Sequence, residues 1–239
     1  MGSSLKPRKG LFCGGTICSF KYCMKTLLAT FGDSWTYGSE LENPKTESWT
    51  AHVGADYTTV YNMGVPASSI GHLAVQLDTL LNKVDITKFD KRVFVFGLTS
   101  QSRYLFNDNV RNEFVNGTSE GVYRTQIQGN GRPPELVEYM SDFMWEYYRR
   151  IDSDAYQVQQ CSQTVAFLQG WCLQNNVQDV YISYFENQNF NRFVNLDSII
   201  NAGLAIGLKY SAFSKHPDAN GHKEIAKTIK DFICLKYPE

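Results

Sequence analysis

From Met24 onward, apolar runs of strand length alternate with apolar residues spaced three to four apart. Thr26–Phe31 predicts a first strand, Ser48–Gly54 a short helix and Tyr57–Asn62 a second strand. Ile70, Leu73, Leu77, Leu80 and Val84 fall on one face of a helix, and Arg92–Phe96 predicts a buried third strand. Further helical stripes follow at Leu136, Met140, Phe143 and Tyr147, and at Val158, Cys161, Val165, Leu168 and Cys172. Asp179–Phe185 predicts strand four, the segment around Leu208–Phe213 strand five, and Ile225, Ile229, Phe232 and Ile233 a closing helix. Strands alternating with helices imply βαβ units, hence an α/β chain with a mostly parallel sheet of about five strands.

Two stretches break the pattern. Residues 1–23 mix Gly, Ser, Lys and Cys without period and are expected to form a disordered, dispensable leader, with the folded domain spanning 24–239. Residues 101–134 are rich in Asn, Gly, Arg and Thr, and a connection of that length inside a compact domain points to a lid, a binding loop or disorder. The high aromatic content, 14%, falls mostly on the stripes and strands and is assigned to packing.

Composition narrows the function classes. With 23 Lys+Arg against 24 Asp+Glu there is no basic field for sequence-independent nucleic-acid binding, so no nucleic-acid partner is expected. No run approaches the roughly 20 apolar residues that span a bilayer, so no membrane partner is expected. Lys6, Arg8, Lys9 and Lys21 interrupt any signal-peptide core, which places the chain in the cytoplasm. The six cysteines suggest neither a disulfide framework nor a metal site, and no metal or organic cofactor is expected. Lys6 stands where a myristoylation signal wants Ser or Thr.

The candidate chemistry begins at Phe31-Gly32-Asp33-Ser34, directly after the first strand. A Ser on a strand-to-helix turn lies at the carboxyl edge of the sheet, where open α/β folds place ligands. Nearby backbone N–H groups can stabilise a developing oxyanion. The competing role for Ser34 is that of an ordinary helix N-cap. A nucleophilic hydroxyl needs a base, most often His. Of the four histidines, His52 and His72 lie within helical patterns, and His222 is expected to cap or pack at the start of the last helix. His216, before Pro217 on the preceding turn, is placed to reach the sheet edge.

These residues resemble the SGNH, or GDSL-type, hydrolases, with the resemblance running from Met24 to the C-terminus. Phe31-Gly32-Asp33-Ser34 is similar to the first family block, Asn62-Met63-Gly64 to the second, and His216-Pro217 with Gly221-His222 to the last, in family order. The resemblance implies a three-layer α/β/α domain with a flavodoxin-like parallel sheet. It implies a serine esterase acting on a small-molecule or carbohydrate ester through an acyl-enzyme, with Ser34 as nucleophile, His216 as base, and the N–H groups of Ser34 and Gly64 in the oxyanion hole.

Two departures stand out. The family's third block ends a strand in Gly-x-Asn-Asp, whereas this strand ends Gly97-Leu98-Thr99-Ser100-Gln101-Ser102-Arg103. Thr99 or Ser100 is then the expected side-chain oxyanion donor, and Arg103 either holds an anionic part of the substrate or pairs with a carboxylate. This ending is similar to that of phage-encoded members. Second, Phe213 stands where the family carries the acid of its triad. Asp218, on the wrong side of His216, is expected to cap the last helix. His216 is therefore expected to be oriented by a backbone carbonyl or a carboxylate distant in sequence, and to work in a Ser–His dyad or incomplete triad. The alternative is a catalytically weak or inactive module of the same fold that binds carbohydrate or a surface. A phosphate binder is disfavoured because no Gly-rich phosphate loop follows any strand.

Overall fold

A computed structural model describes residues 24–101, 103–108, 113–118, 154–184, 189–201 and 216–238. Five strands form one parallel sheet: β1 (Thr26–Phe31), β2 (Thr59–Asn62), β3 (Lys91–Leu98), β6 (Gln178–Ser183) and β7 (Ile199–Asn201). Two more, β4 (Arg103–Asp108) and β5 (Glu113–Thr118), pair antiparallel in a separate hairpin. The sheet order is β2-β1-β3-β6-β7, which among the sheet strands alone is the flavodoxin-like order 2-1-3-4-5. The topological switch point therefore falls between β1 and β3, where Ser34 emerges.

The inner strands are apolar on both faces because helices cover both sides, as parallel sheets require. Leu27, Ala29 and Phe31 of β1 join Phe94, Phe96, Leu98 and Tyr181 in one core. That core is covered by α4 (His72–Leu81) and α5 (Asp154–Gln174). Leu28, Val93, Val95, Val180 and Ile182 face the other way, against α3 (Trp49–Gly54), which follows the one-turn α2 (Pro44–Glu47), and α6 (Ala219–Lys236). Phe31, Phe96 and Tyr181 are register partners on three adjacent strands, and their rings stack at centroid spacings of 4.7 and 5.0 Å. This aromatic row begins at Phe31, the last residue of β1 before the Gly32-Asp33-Ser34 turn.

The stripes Ile70, Leu73, Leu77, Leu80, Val84 and Cys161, Val165, Leu168, Cys172 are buried as their spacing predicts, while Val158 is half-buried. On α6, Ile225, Ile229 and Ile233 are buried and Phe232 is half-buried. The stretch 103–118 departs from expectation, because the hairpin occupies part of what reads as structureless chain. Asn and Gly, which disfavour strands, punctuate both arms and mask the Tyr104-Leu105-Phe106 and Phe114-Val115 cores. The fifth sheet strand comes from Ile199–Asn201. The segments 1–23, Leu136–Tyr147 and Leu208–Phe213 lie outside the described residues.

Candidate active site

The strand-to-helix turn after β1 positions Ser34. Asp33, not Ser34, is the N-cap of α1 (Ser34–Tyr37), and its Oδ1 accepts the N–H of Trp35 at 3.0 Å. Ser34 is thus the first helical residue, so its N–H belongs to the donors that a helix start leaves without an intrahelical acceptor. The helix is only four residues long because Gly38 takes a left-handed conformation, φ 86°, that L side chains rarely adopt. The N–H groups of Gly38 and Ser39 both donate to the Ser34 carbonyl at 2.9 Å, closing the turn and reversing the chain.

Beneath the turn lies a buried polar network. Asp33 is fully buried, and its Oδ2 accepts from the Thr99 hydroxyl at 2.8 Å and from Arg103 Nη1 at 2.8 Å. Arg103 Nη1 also donates to the Ser68 carbonyl at 3.2 Å. A buried carboxylate paired with a guanidinium and two further donors is compensated on both oxygens. Gln76, on α4, receives the Gly32 N–H on Oε1 at 2.8 Å and returns Nε2–H to the Gly32 carbonyl at 2.8 Å. It also donates to Ser68 Oγ at 2.9 Å. Gly32, immediately before the Asp33–Ser34 pair, is therefore held at both its N–H and its carbonyl by one side chain.

On the open side, His216 Nε2 lies 2.8 Å from Ser34 Oγ. Its other nitrogen, Nδ1, lies 3.2 Å from Oε1 of Glu40. The His216 side chain is 24% exposed and that of Glu40 41% exposed. Asp218 turns away from this cluster, and its Oδ1 accepts the N–H of Gly221 at 2.8 Å as the N-cap of α6. His222 is fully buried, and its Nδ1 accepts the Trp49 N–H at 3.2 Å, at the start of α3. Burial pushes its pKa down to about 4, so this ring stays neutral at physiological pH.

Gly64 follows β2 and packs against α1 so closely that a Cβ there would sit 2.6 Å from the Tyr37 nitrogen. Only glycine permits this approach. Its N–H donates to Oδ1 of Asn62 at 2.9 Å, while Asn62 Nδ2 donates to the Thr36 carbonyl at 2.9 Å. Beside this contact a cavity of about 280 Å³ is lined by Tyr37, Pro44, Lys45, Ser48, Val60 and Asn62.

The fold thus gathers Ser34, His216, Gly64, Thr99 and Arg103 around the carboxyl ends of β1, β2 and β3. Ser34 and His216 meet directly. The Thr99 hydroxyl is engaged with Asp33, the Arg103 guanidinium is seated on the same carboxylate, and Ser100 is half-buried at the end of β3. Two residues escape sequence reading. Glu40 sits in a short polar segment, Ser39-Glu40-Leu41-Glu42, with nothing to single it out. Gln76 lies on the apolar face of α4, between Leu73 and Leu77, where a polar residue on a core stripe is the available signal. Among the described residues, no cluster of three or more His, Cys, Asp or Glu side chains could hold a metal ion. No helix among them is long and apolar enough to cross a membrane.

No known family profile and no curated protein match this sequence. Solved structures do resemble it. A carbohydrate esterase whose active site is described as having divergent catalytic and non-catalytic binding functions superposes with a TM-score of 0.52 at 14% identity. That match covers 90% of this chain and 66% of that one. The acetyl xylan esterase Est2A from Butyrivibrio proteoclasticus gives 0.46 at 11% identity, covering 89% of this chain and 64% of that one. A lipolytic protein of the G-D-S-L family from Veillonella parvula gives 0.38 at 14% identity, covering 89% and 98%. The first superposition establishes a shared fold, a three-layer α/β/α domain around a parallel sheet.

Proposed function

We propose that this chain is a carboxylic-ester hydrolase of the SGNH type, with Ser34 as nucleophile and His216 as general base. The observation that carries the reading is the 2.8 Å separation of His216 Nε2 and Ser34 Oγ at the exit of β1. That contact joins residues 182 apart in sequence and lies within the reach that proton transfer requires. The esterase fold of the carbohydrate-esterase neighbour supports the same class.

The chemistry proceeds in two halves. Ser34 Oγ bonds to the ester carbonyl carbon as its proton passes to His216 Nε2, giving a tetrahedral oxyanion. The oxyanion collapses, the bond to the leaving alkoxide breaks, and the Nε2 proton goes to that oxygen. Water then attacks the acyl-enzyme, giving its proton to Nε2, and the return of that proton to Ser34 Oγ releases the carboxylic acid. The N–H groups of Ser34 and Gly64 are the proposed oxyanion donors, with the Gly64 N–H exchanging Asn62 Oδ1 for the oxyanion. Thr99 and Ser100 remain the side-chain donors of this proposal. Thr99 must release Asp33 to serve, so Ser100→Ala is expected to lower turnover more than Thr99→Ala lowers it at equal stability.

The proposed substrate is a small-molecule or carbohydrate ester. The cavity lined by the Tyr37 ring, the Lys45 ammonium, the Ser48 hydroxyl and the Asn62 amide is the proposed seat of a hydroxyl-rich part of the substrate. A second reading, a binding module with little turnover, is favoured by the engagement of the Gly64 N–H and the Thr99 hydroxyl without substrate. A panel of nitrophenyl acetate, longer nitrophenyl esters and acetylated oligosaccharides separates the two. The esterase reading expects hydrolysis that Ser34→Ala abolishes; saccharide binding without hydrolysis in the intact protein would replace it with the module.

A further inference from the structure

We propose that Glu40 is the positioning carboxylate of His216, so that one seven-residue segment, Ser34 to Glu40, supplies both nucleophile and acid. The inference rests on the assignment of Ser34 and His216 as nucleophile and base. For His216 to take a proton from Ser34, Nε2 must be unprotonated, which puts the proton of the neutral ring on Nδ1. That N–H needs an acceptor, and a carboxylate accepts without competing as a donor. Glu40 Oε1 stands 3.2 Å from Nδ1, on the opposite side of the ring from Ser34.

The backbone argues the same way. Glu40 has φ 70°, a left-handed conformation that is costly for a residue with a Cβ and that Gly or Asn occupies more readily. A Glu in such a turn points to a task for its side chain. The turn itself follows from the left-handed Gly38 and the paired N–H bonds to the Ser34 carbonyl, which bring the chain back two residues later over the nucleophile. The other nearby carboxylates are engaged elsewhere. Asp33 accepts from Trp35, Thr99 and Arg103, and Asp218 accepts from Gly221. The acid has moved from the segment before the base to the segment after the nucleophile.

Because Glu40 is part-exposed, its contribution should fall below the roughly 10⁴ that a buried triad Asp supplies in serine proteases. Glu40→Ala and Glu40→Gln are expected to lower turnover about 10²-fold with KM within about twofold, and Glu40→Asp to recover part of the loss. Glu40→Gly, which relieves the left-handed backbone, should keep or raise the melting temperature while losing turnover equally. Nitrogen NMR of the full-length protein gives a readout independent of turnover. The neutral His216 ring should carry its proton on Nδ1 in the wild type and shift toward Nε2 in Glu40→Ala. An unchanged tautomer, or full turnover in both Glu40→Ala and Glu40→Gln, overturns the proposal. If the wild type hydrolyses no ester and forms no Ser34 adduct, the esterase reading falls, and the tautomer measurement alone decides the role of Glu40.

Discussion

Two carboxylates flank the Ser34 turn, and they are built in opposite ways. Asp33 is fully buried and accepts from a backbone amide, a hydroxyl and a guanidinium, so both oxygens are fixed. Glu40 is 41% exposed and faces one imidazole nitrogen. The two histidines of the last block divide in the same way, with His222 sealed against α3 and His216 open beside Ser34. On the deep side Asp33, Thr99, Arg103 and Gln76 hold the turn in place, whereas His216 on the open side lies against the Ser34 hydroxyl. The depth of a charged residue here separates scaffold from chemistry better than its distance along the chain from Ser34.

That division is sharpest at Asp33. Asp33→Ala leaves the Arg103 guanidinium, itself 14% exposed, without its carboxylate and should cost about 3–5 kcal/mol of stability, measured by urea denaturation. Glu40→Ala, at an exposed pair, should move stability by about 1 kcal/mol or less. Equal losses at the two positions would erase the distinction.

The buried histidine gives a pH signature. His222 has its pKa lowered to about 4, so between the unfolded value near 6.5 and about 4 the unfolded chain binds a proton that the folded chain refuses. Stability should be complete above pH 6.5 and fall as the pH drops through that window, by up to about 3 kcal/mol. The lowered pKa values of His52 and His72 act with the same sign. A His222→Gln variant should show a shallower acid loss; an unchanged slope would place the sensitivity elsewhere. Gln76→Ala should cost about 1–3 kcal/mol by leaving the buried Gly32 N–H without its acceptor, while the Gly32 carbonyl keeps the Val65 N–H and the Ser68 hydroxyl. Gln76→Leu, which fits the core stripe, would cost the same if the hydrogen bonds dominate and much less if packing does.

The scaffold was largely legible in the sequence because parallel strands buried on both faces give unbroken apolar runs, and α4, α5 and α6 show their stripes directly. The Asp218 cap and the burial of His222 also follow from local position. The Ser34 turn was half legible: Gly-Asp-Ser announces a cap, yet the cap is Asp33 and Ser34 is the first helical residue. What escaped depends on contacts between distant segments. Nothing local connects Gln76 to Gly32, 44 residues away, or Glu40 to His216. The hairpin of β4 and β5 escaped for a different reason, since its Asn and Gly residues imitate loop composition over strands of six residues each.

The most direct test of the account is the site of covalent capture. Incubating the full-length protein with a fluorophosphonate and locating the adduct by mass spectrometry should place it on Ser34 alone. The labelling rate should collapse by about 10³-fold or more in His216→Ala, with no comparable loss in Asp218→Asn. An adduct on any other residue, or labelling of Ser34 that proceeds unchanged without His216, would contradict the pairing on which the proposed chemistry stands.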